Sequence, residues 1–134
     1  MGRLKMADRP ALKILVVDDA KAVRDLVRRA LAPLSADITE ATNGFNALYA
    51  MEKSLPDVLV LDVKMPIMDG LELLTMMRTN PTLKGILVVM LTSPADHAIL
   101  ARLTELDVSA VVQKPFAPAG LEEAVHRALG RSRA

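Results

Sequence analysis

The sequence predicts an α/β fold in which a five-stranded parallel sheet is covered by helices on both faces, a doubly wound arrangement. Three observations support this prediction. Short apolar runs with the length of strands alternate with longer segments in which apolar residues recur at helical spacing. The strongest runs are continuously apolar, as expected for strands buried on both faces. No repeat or linker indicates a second domain, so residues 11–130 form the predicted domain, between a disordered lead-in (1–10) and a tail (131–134).

The first half of the chain supplies three strands and two helices. We predict strands over residues 12–17, 36–41 and 57–61, and helices over residues 20–34 and 43–54. Pro33 ends the first helix, because proline cannot continue a helix interior. Asn43 has the side chain of a helix N-cap. Arg24, Arg28 and Arg29 lie on the polar side of the first helix, where we expect a solvated face; a docking patch for a kinase is the alternative.

The second half supplies two strands and three helices. We predict strands over residues 85–91 and 109–113, and helices over residues 69–80, 95–106 and 118–130. Pro81 stops the first of these helices, and Gly130 is the expected C-cap of the last. The helix over residues 95–106 is more apolar than one buried stripe requires. Either it is buried deeply in the core, or it exposes a surface to a partner or to a second copy.

The composition excludes several classes of function. A formal net charge of +1 over 134 residues gives no electrostatic reason to expect a nucleic-acid or membrane partner. No apolar run approaches the ~20 residues that span a bilayer, and the polar N-terminus has no apolar signal segment. The sequence has no cysteine, two phenylalanines and one tyrosine, so its core must be aliphatic with methionine filling gaps. We expect a cytoplasmic protein that is a monomer or a weak dimer.

Polar residues directly follow four of the five predicted strands. Asp18 and Asp19 come after the first strand, Asp62 after the third, Thr92 after the fourth and Lys114 after the fifth. The carboxyl ends of parallel strands share one edge of the sheet, and ligands of open α/β sheets bind at that edge. We therefore expect three carboxylates, a hydroxyl and an ammonium group to converge there.

The charges of these groups constrain what the edge can bind. Two like charges ~4 Å apart near a protein surface repel by roughly 4 kcal/mol, so three carboxylates need a cation or raised pKa values. Lys114 offsets one charge, and Mg²⁺, a hard ion that prefers oxygen ligands, suits the other two. The positive charge of metal and lysine together favours a phosphoryl group, to which Thr92 can donate a hydrogen bond. Asp62 can then act as a nucleophile.

Each of these residues also has an ordinary interpretation when taken alone. Asp18 or Asp19 is suited to cap a helix, and Thr92 to cap the helix that begins near Ala95. Asp62 alone is compatible with a turn, and Lys114 alone with a solvated surface position. Their occurrence at four strand ends on one edge favours the joint site.

Four motifs resemble the receiver domain of two-component response regulators, a CheY-like signalling family. They are VVDDA, LDVKMPIMDG, MLTS and VVQKPF, and the similarity runs from about Leu12 to Leu129. The resemblance implies a flavodoxin-like (βα)5 fold with strand order 2-1-3-4-5. It also implies that the bond before Pro115 is cis, although only about 5–6% of bonds that precede proline are cis.

The resemblance further implies a role for each site residue. Asp62 is the expected phospho-acceptor. Mg²⁺ is expected on Asp19 directly, on Asp18 directly or through water, on Asp62 and on the backbone carbonyl of Lys64. The Lys64 side chain either lies over the phosphoryl group or faces solvent. Lys114 is expected to bind the phosphoryl group, and Thr92 to follow it on activation. A histidine kinase or a phosphotransfer protein supplies the phosphate.

The sequence departs from the family pattern at several positions. Val111 stands where the family often has an aromatic switch residue, so an inward-rotating ring cannot report phosphorylation. Asp107 replaces the usual glycine before the fifth strand, and aspartate tolerates the left-handed backbone better than most residues. Lys64 and Pro94 occupy two positions at which the family tunes dephosphorylation.

The expected function is therefore that of a stand-alone phospho-accepting receiver rather than an enzyme. Phosphorylation would shift its conformation to control binding of a downstream protein, with the helix over residues 95–106 as a candidate surface. One alternative is a phosphohydrolase with an aspartyl-phosphate intermediate. Such enzymes need an acid two residues after the nucleophile, where this chain has Lys64. The other alternative is an adaptor that works without phosphorylation.

Overall fold

The structure, a computed structural model, describes residues 11–133, so the expected lead-in at residues 1–10 lies outside the described residues. The strands are β1 (Lys13–Val17), β2 (Asp37–Ala41), β3 (Val58–Asp62), β4 (Leu87–Thr92) and β5 (Ala110–Gln113). The helices are α1 (Lys21–Leu31), α2 (Gly44–Lys53), α3 (Gly70–Arg78), α4 (Leu100–Glu105) and α5 (Pro118–Arg133). Two 3₁₀ segments cover Ala32–Leu34 and Pro94–Ile99. No helix within the described range is long and apolar enough to cross a membrane.

All five strands are parallel, in the order β2-β1-β3-β4-β5. This confirms the predicted flavodoxin-like α/β fold. The sheet separates two apolar layers, one beneath α2, α3 and α4 and the other beneath α1 and α5. In β3, Leu59 and Leu61 face the first layer, whereas Val58 and Val60 face the second. A strand buried on both faces has no polar side, which explains its continuously apolar sequence.

The core is aliphatic, as the composition predicts. Met51, Met77 and Met90 are fully buried in it, whereas Phe45 and Tyr49 are exposed on α2. Methionine has three rotatable bonds and fills irregular gaps between branched side chains.

The segment predicted as one helix over residues 95–106 divides into the 3₁₀ helix and α4. The residue that caps it is Ser93, not Thr92, and Asp96 completes a capping box with Ser93. Its large apolar residues belong to the core: Leu103 and Leu106 are buried, and Ile99 and Leu100 pack against the same layer. Core burial therefore accounts for the apolar composition of this segment.

Two helix ends bear on the sequence predictions. Asn43 caps α2, because its side-chain oxygen accepts a hydrogen bond from the N–H of Asn46 at 2.8 Å. At the other end of the chain, the expected C-cap at Gly130 is wrong, since α5 continues to Arg133. Most of the predicted tail is thus helical. A glycine within a helix costs only about 1 kcal/mol relative to alanine and does not have to end it.

Arg78 connects the two loops at the amino end of β4 and β5. Its guanidinium donates hydrogen bonds to the carbonyls of Leu106 (2.7 Å), Lys84 (2.9 Å), Ile86 (3.0 Å) and Asp107 (3.2 Å). The rigid fork of five arginine donors suits such a cluster of acceptors. Asp107 adopts the left-handed conformation that its position predicts, with φ of 56°.

Gly70 allows α3 to start against the end of β3. A Cβ at this position would lie 2.1 Å from the carbonyl oxygen of Asp62, and the N–H of Gly70 donates to the carbonyl of Val63 at 2.8 Å. No side chain fits at such a distance from the backbone. The absence of a side chain at Gly70 therefore allows the first turn of α3 to lie against the last residue of β3.

We predict that Gly70→Ala lowers the free energy of unfolding by about 2 kcal/mol, because the added carbon must displace the backbone of β3. Gly85→Ala is the matched control, since a Cβ at Gly85 meets no atom within 4 Å, and its effect should stay within about 0.5 kcal/mol. Urea denaturation followed by circular dichroism measures both values. Equal stability of the two variants would contradict the close approach.

Candidate functional site

The carboxyl edge of the sheet brings three carboxylates together. Val17 of β1 is in register with Leu61 of β3, so Asp18 and Asp62 end on neighbouring strands, and Asp19 follows Asp18. One carboxylate oxygen from each of the three aspartates lies within 4.8 Å of the other two. Asp18 is completely buried, Asp62 is 4% exposed and Asp19 is exposed. The site thus consists of a buried pair, Asp18 and Asp62, and a third carboxylate, Asp19, that is open to solvent.

The aspartates after β1 do not cap the helix that follows them. The N-cap of α1 is Ala20, which makes no side-chain capping bond. Instead, Asp18 Oδ1 accepts a hydrogen bond from the N–H of Ala20 at 2.9 Å. Asp18 therefore stabilises its own turn and keeps its second oxygen directed towards other groups of the site.

Lys114 reaches the buried pair from the end of β5. Its Nζ lies 2.9 Å from Asp62 Oδ1 and 3.4 Å from Asp18 Oδ2. The backbone N–H of Lys114 donates to the carbonyl of Thr92 at 2.7 Å, and the bond between Lys114 and Pro115 is cis, as the resemblance implied. Lys114 is therefore an ion-pair partner inside the site rather than a solvated surface lysine.

Thr92 ends β4 at the same edge. Leu91 is in register with Asp62, so Thr92 lies one residue beyond the aspartate, and it is 3% exposed. The Lys64 side chain, two residues after Asp62, is exposed. Val111, at the aromatic-switch position, is 45% exposed on β5.

The site is short of positive charge. Three carboxylates against the Lys114 ammonium leave a formal charge of −2. Burial raises the pKa of Asp62, and repulsion by Asp18 adds to this effect; together they outweigh the hydrogen bond from Lys114. Burial alone would lower the pKa of Lys114, but the hydrogen bond to Asp62 and the charge of Asp18 raise it above its usual value. Lysine therefore stays charged, and the site favours one more cation.

The donor set fits Mg²⁺. The three aspartates offer only oxygen ligands, they lie close enough to share one ion, and their excess charge equals that of a divalent cation. Asp19 is open to solvent, which suits an ion that keeps several waters.

Arg24 supports the backbone beside the site, and the sequence did not reveal this contact. We expected it on a solvated face, but its side chain is only 12% exposed. It donates to the backbone carbonyl of Asp18 at 2.8 Å and to Glu40 Oε1 at 2.7 Å. Arg28 also pairs with Glu40. Sequence spacing could not predict these contacts, because Glu40 belongs to β2 and nothing in the helix periodicity indicates which strand lies beneath.

The family model for the response regulator receiver domain matches residues 14–126. The chain belongs to this family. Receiver domains are signalling modules of two-component systems, and the acidic group at residues 18, 19 and 62 fits the magnesium pocket of such domains.

Similar proteins support the assignment over nearly the full length. The chain is 34% identical to chemotaxis protein CheY-3 of Vibrio cholerae, an alignment that covers 90% of this chain and 93% of that protein. Its structure resembles chemotaxis response regulator CheY4 of Vibrio cholerae, with a TM-score of 0.80, 28% identity, and coverage of 88% of this chain and 98% of the other. The BeF3-activated receiver domain of DrrB gives a TM-score of 0.77 at 31% identity, covering 90% and 99% of the two chains.

We predict that Asp62→Asn stabilises the metal-free protein at neutral pH, and that this gain disappears in acid. Because the folded-state pKa of Asp62 is raised, its folded form binds a proton more tightly than its unfolded form does. The stability that the proton supplies is complete below the unfolded pKa and is lost as the pH rises through the folded pKa. Asparagine resembles the protonated acid and escapes this loss.

Urea unfolding of both proteins in EDTA, at a series of pH values from neutral to acid, tests this sign. The difference in unfolding free energy should grow as the pH rises. A wild-type protein that is the more stable of the two at neutral pH would show that Lys114 outweighs burial.

Proposed function

We propose that this receiver accepts a phosphoryl group on Asp62, from a histidine kinase or a phosphotransfer protein, in the presence of Mg²⁺. The observation that carries the proposal is the position of the Asp62 carboxylate. It lies 2.9 Å from the Lys114 ammonium and within 4.8 Å of two further carboxylates, at the edge of the sheet where ligands bind. A nucleophile, a cation for the transferred group and a set of metal ligands then share one place.

The reaction uses one oxygen of Asp62 as the nucleophile. This oxygen attacks the phosphorus of a phosphohistidine; a new P–O bond forms while the P–N bond breaks. The bonding electron pair returns to the imidazole nitrogen of the donor. Lys114 binds one oxygen of the transferred group, and the Thr92 hydroxyl donates to another. These contacts stabilise charge on the phosphoryl oxygens, which is the main contribution a protein makes to phosphoryl transfer.

The metal would be held by Asp18, Asp19, Asp62 and the backbone carbonyl of Lys64. When bound, Mg²⁺ supplies the positive charge that lets an anionic phosphoryl group approach a carboxylate. Asp18 has a second role, because its Oδ2 and Asp62 both pair with the Lys114 ammonium group. Asp18 therefore holds this ammonium group in the site before the phosphoryl group arrives.

The output is a shift between conformations that a downstream protein distinguishes. The phosphoryl group would contact the side chains of Lys114 and Thr92. The backbones of these two residues are joined by a hydrogen bond of 2.7 Å. With Val111 in place of an aromatic ring, the change passes through Thr92 and the 3₁₀ helix that follows it. A partner would read the surface of the segment from Pro94 to Glu105. Because a kinase draws its phosphate from ATP, the proposal places the protein in the cytoplasm.

We predict that acetyl phosphate with Mg²⁺ adds one phosphoryl group to the wild-type protein, and that Asp62→Asn reduces this labelling at least about tenfold because the nucleophile is gone. Intact-protein mass spectrometry measures the labelled fraction. Asp57→Asn is the matched control. Asp57 lies just before the same strand at its opposite end, where its carboxylate accepts the N–H of Lys13 at 2.8 Å, so labelling should persist.

Three outcomes would contradict the proposal. Undiminished labelling of Asp62→Asn means that the acceptor is another residue. Multiple turnover of p-nitrophenyl phosphate means that the protein is a phosphohydrolase, although Lys64 stands where such an enzyme needs an acid. Equal binding of a downstream partner to the wild-type protein and to Asp62→Asn, with or without acetyl phosphate, means that it is a phosphorylation-independent adaptor.

A further inference from the structure

In the turn that follows β1, each polar group of Asp18 contacts a partner. The N–H of Asp18 donates to the carbonyl of Ala41 at 3.1 Å, which extends the pairing of β1 with β2. Oδ1 accepts from the N–H of Ala20 at 2.9 Å, and Oδ2 lies 3.4 Å from Lys114 Nζ. The remaining group is the backbone carbonyl, which accepts from Arg24 Nη1 at 2.8 Å.

The carbonyl of Asp18 belongs to the peptide unit that leads into Asp19. A peptide unit is planar, so fixing its oxygen fixes the direction in which the chain enters the next residue. The hydrogen bond from Arg24 therefore acts on the relative orientation of two of the three carboxylates. The hydrogen bonds of Arg24 run to Glu40 and to the backbone carbonyl between the two aspartates rather than to either carboxylate.

Arg24 is anchored on its other side. Its Nε donates to Glu40 Oε1 at 2.7 Å, and hydrogen bonds from Arg28 and Arg24 hold the pKa of Glu40 below its usual value. Glu40 immediately precedes Ala41, whose carbonyl receives the N–H of Asp18. Arg24 thus links α1, β2 and the turn after β1. The planar guanidinium makes these two bonds in fixed directions, which a lysine cannot reproduce.

We propose that Arg24 is a positioning residue for the metal site: through the carbonyl of Asp18 it sets the separation at which Asp18 and Asp19 can bind one Mg²⁺. This inference rests on the proposed function. Mg²⁺ demands nearly ideal octahedral geometry. Groups that orient metal ligands from outside typically change metal affinity by about 10–100-fold when they are removed.

The sign of the effect separates positioning from simple electrostatics. Arg24 carries a positive charge, so its removal would strengthen cation binding if charge alone mattered. A positioning role predicts the opposite, weaker binding. Arg28 is a matched control, because it pairs with the same Glu40 but donates to the carbonyl of Ile38 at 2.9 Å rather than to that of Asp18.

The test measures the Mg²⁺ dissociation constant by isothermal titration calorimetry, with displacement of Mn²⁺ followed by electron paramagnetic resonance as a second readout. Arg24→Met should raise the constant about tenfold, whereas Arg28→Met should leave it within about twofold of wild type or lower it. At saturating Mg²⁺, Arg24→Met should be labelled by acetyl phosphate at nearly the wild-type rate, because the nucleophile and Lys114 are unchanged. The defect then lies in metal affinity rather than in chemistry.

Arg24→Lys keeps the charge and the fold but loses the planar fork, and should raise the constant about threefold or more. Wild-type affinity in Arg24→Lys or Arg24→Met, or equal weakening in Arg28→Met, would overturn the inference while leaving the proposed function intact. Absence of both Mg²⁺ binding and labelling in the wild-type protein would overturn the proposed function, and the inference with it. Circular dichroism of each variant verifies that affinities are compared between folded proteins.

Discussion

The repulsion among three carboxylates at one edge of the sheet is the constraint on which the other features of the site depend. Asp18 and Asp62 are buried, and burial strengthens their mutual repulsion because water no longer screens it. Within the described residues, Lys114 is the cation that contacts them, and it pairs with both. The protein thus retains an uncompensated charge that costs stability in the metal-free state. In the function proposed above, this charge attracts a divalent ion, and the bound ion would in turn attract a phosphoryl group.

The fold supports this arrangement with contacts that carry no chemistry of their own. Gly70 lets α3 begin against the backbone of Asp62, and the N–H of Lys114 ties the end of β5 to that of β4. Arg24 performs the corresponding task for the turn after β1. Each of these contacts acts on the backbone next to a functional side chain. Since carboxylates repel each other, a loosely held edge would relax by moving them apart, and fixed backbone prevents this.

Much of the fold and the grouping of the site residues could be predicted from the sequence because two local signals report on the strands and on their shared edge; the strand order came from the resemblance to receiver domains. Continuous apolar runs such as Val58–Leu61 identify strands buried on both faces, and the polar residue after each run marks the shared edge. Contacts between distant elements leave no such signal. The ion pair of Arg24 with Glu40 joins α1 to β2, and the position of β2 in the sheet depends on the strand order. The division of residues 94–105 into two helical segments, with Ser93 and Asp96 at the start of the first, likewise leaves no mark in the apolar periodicity.

The proposed function requires that the edge holding Asp62 bind a metal and a phosphoryl group together. A crystal structure of the protein grown with Mg²⁺ and beryllofluoride, a phosphoryl mimic, tests this requirement. We expect beryllium bonded to an Asp62 oxygen, fluorides in contact with Lys114 Nζ and the Thr92 hydroxyl, and Mg²⁺ bound by Asp18 and Asp19. An Asp62 that stays paired with Lys114 at saturating beryllofluoride and Mg²⁺, with both ligands absent from this edge, would contradict it.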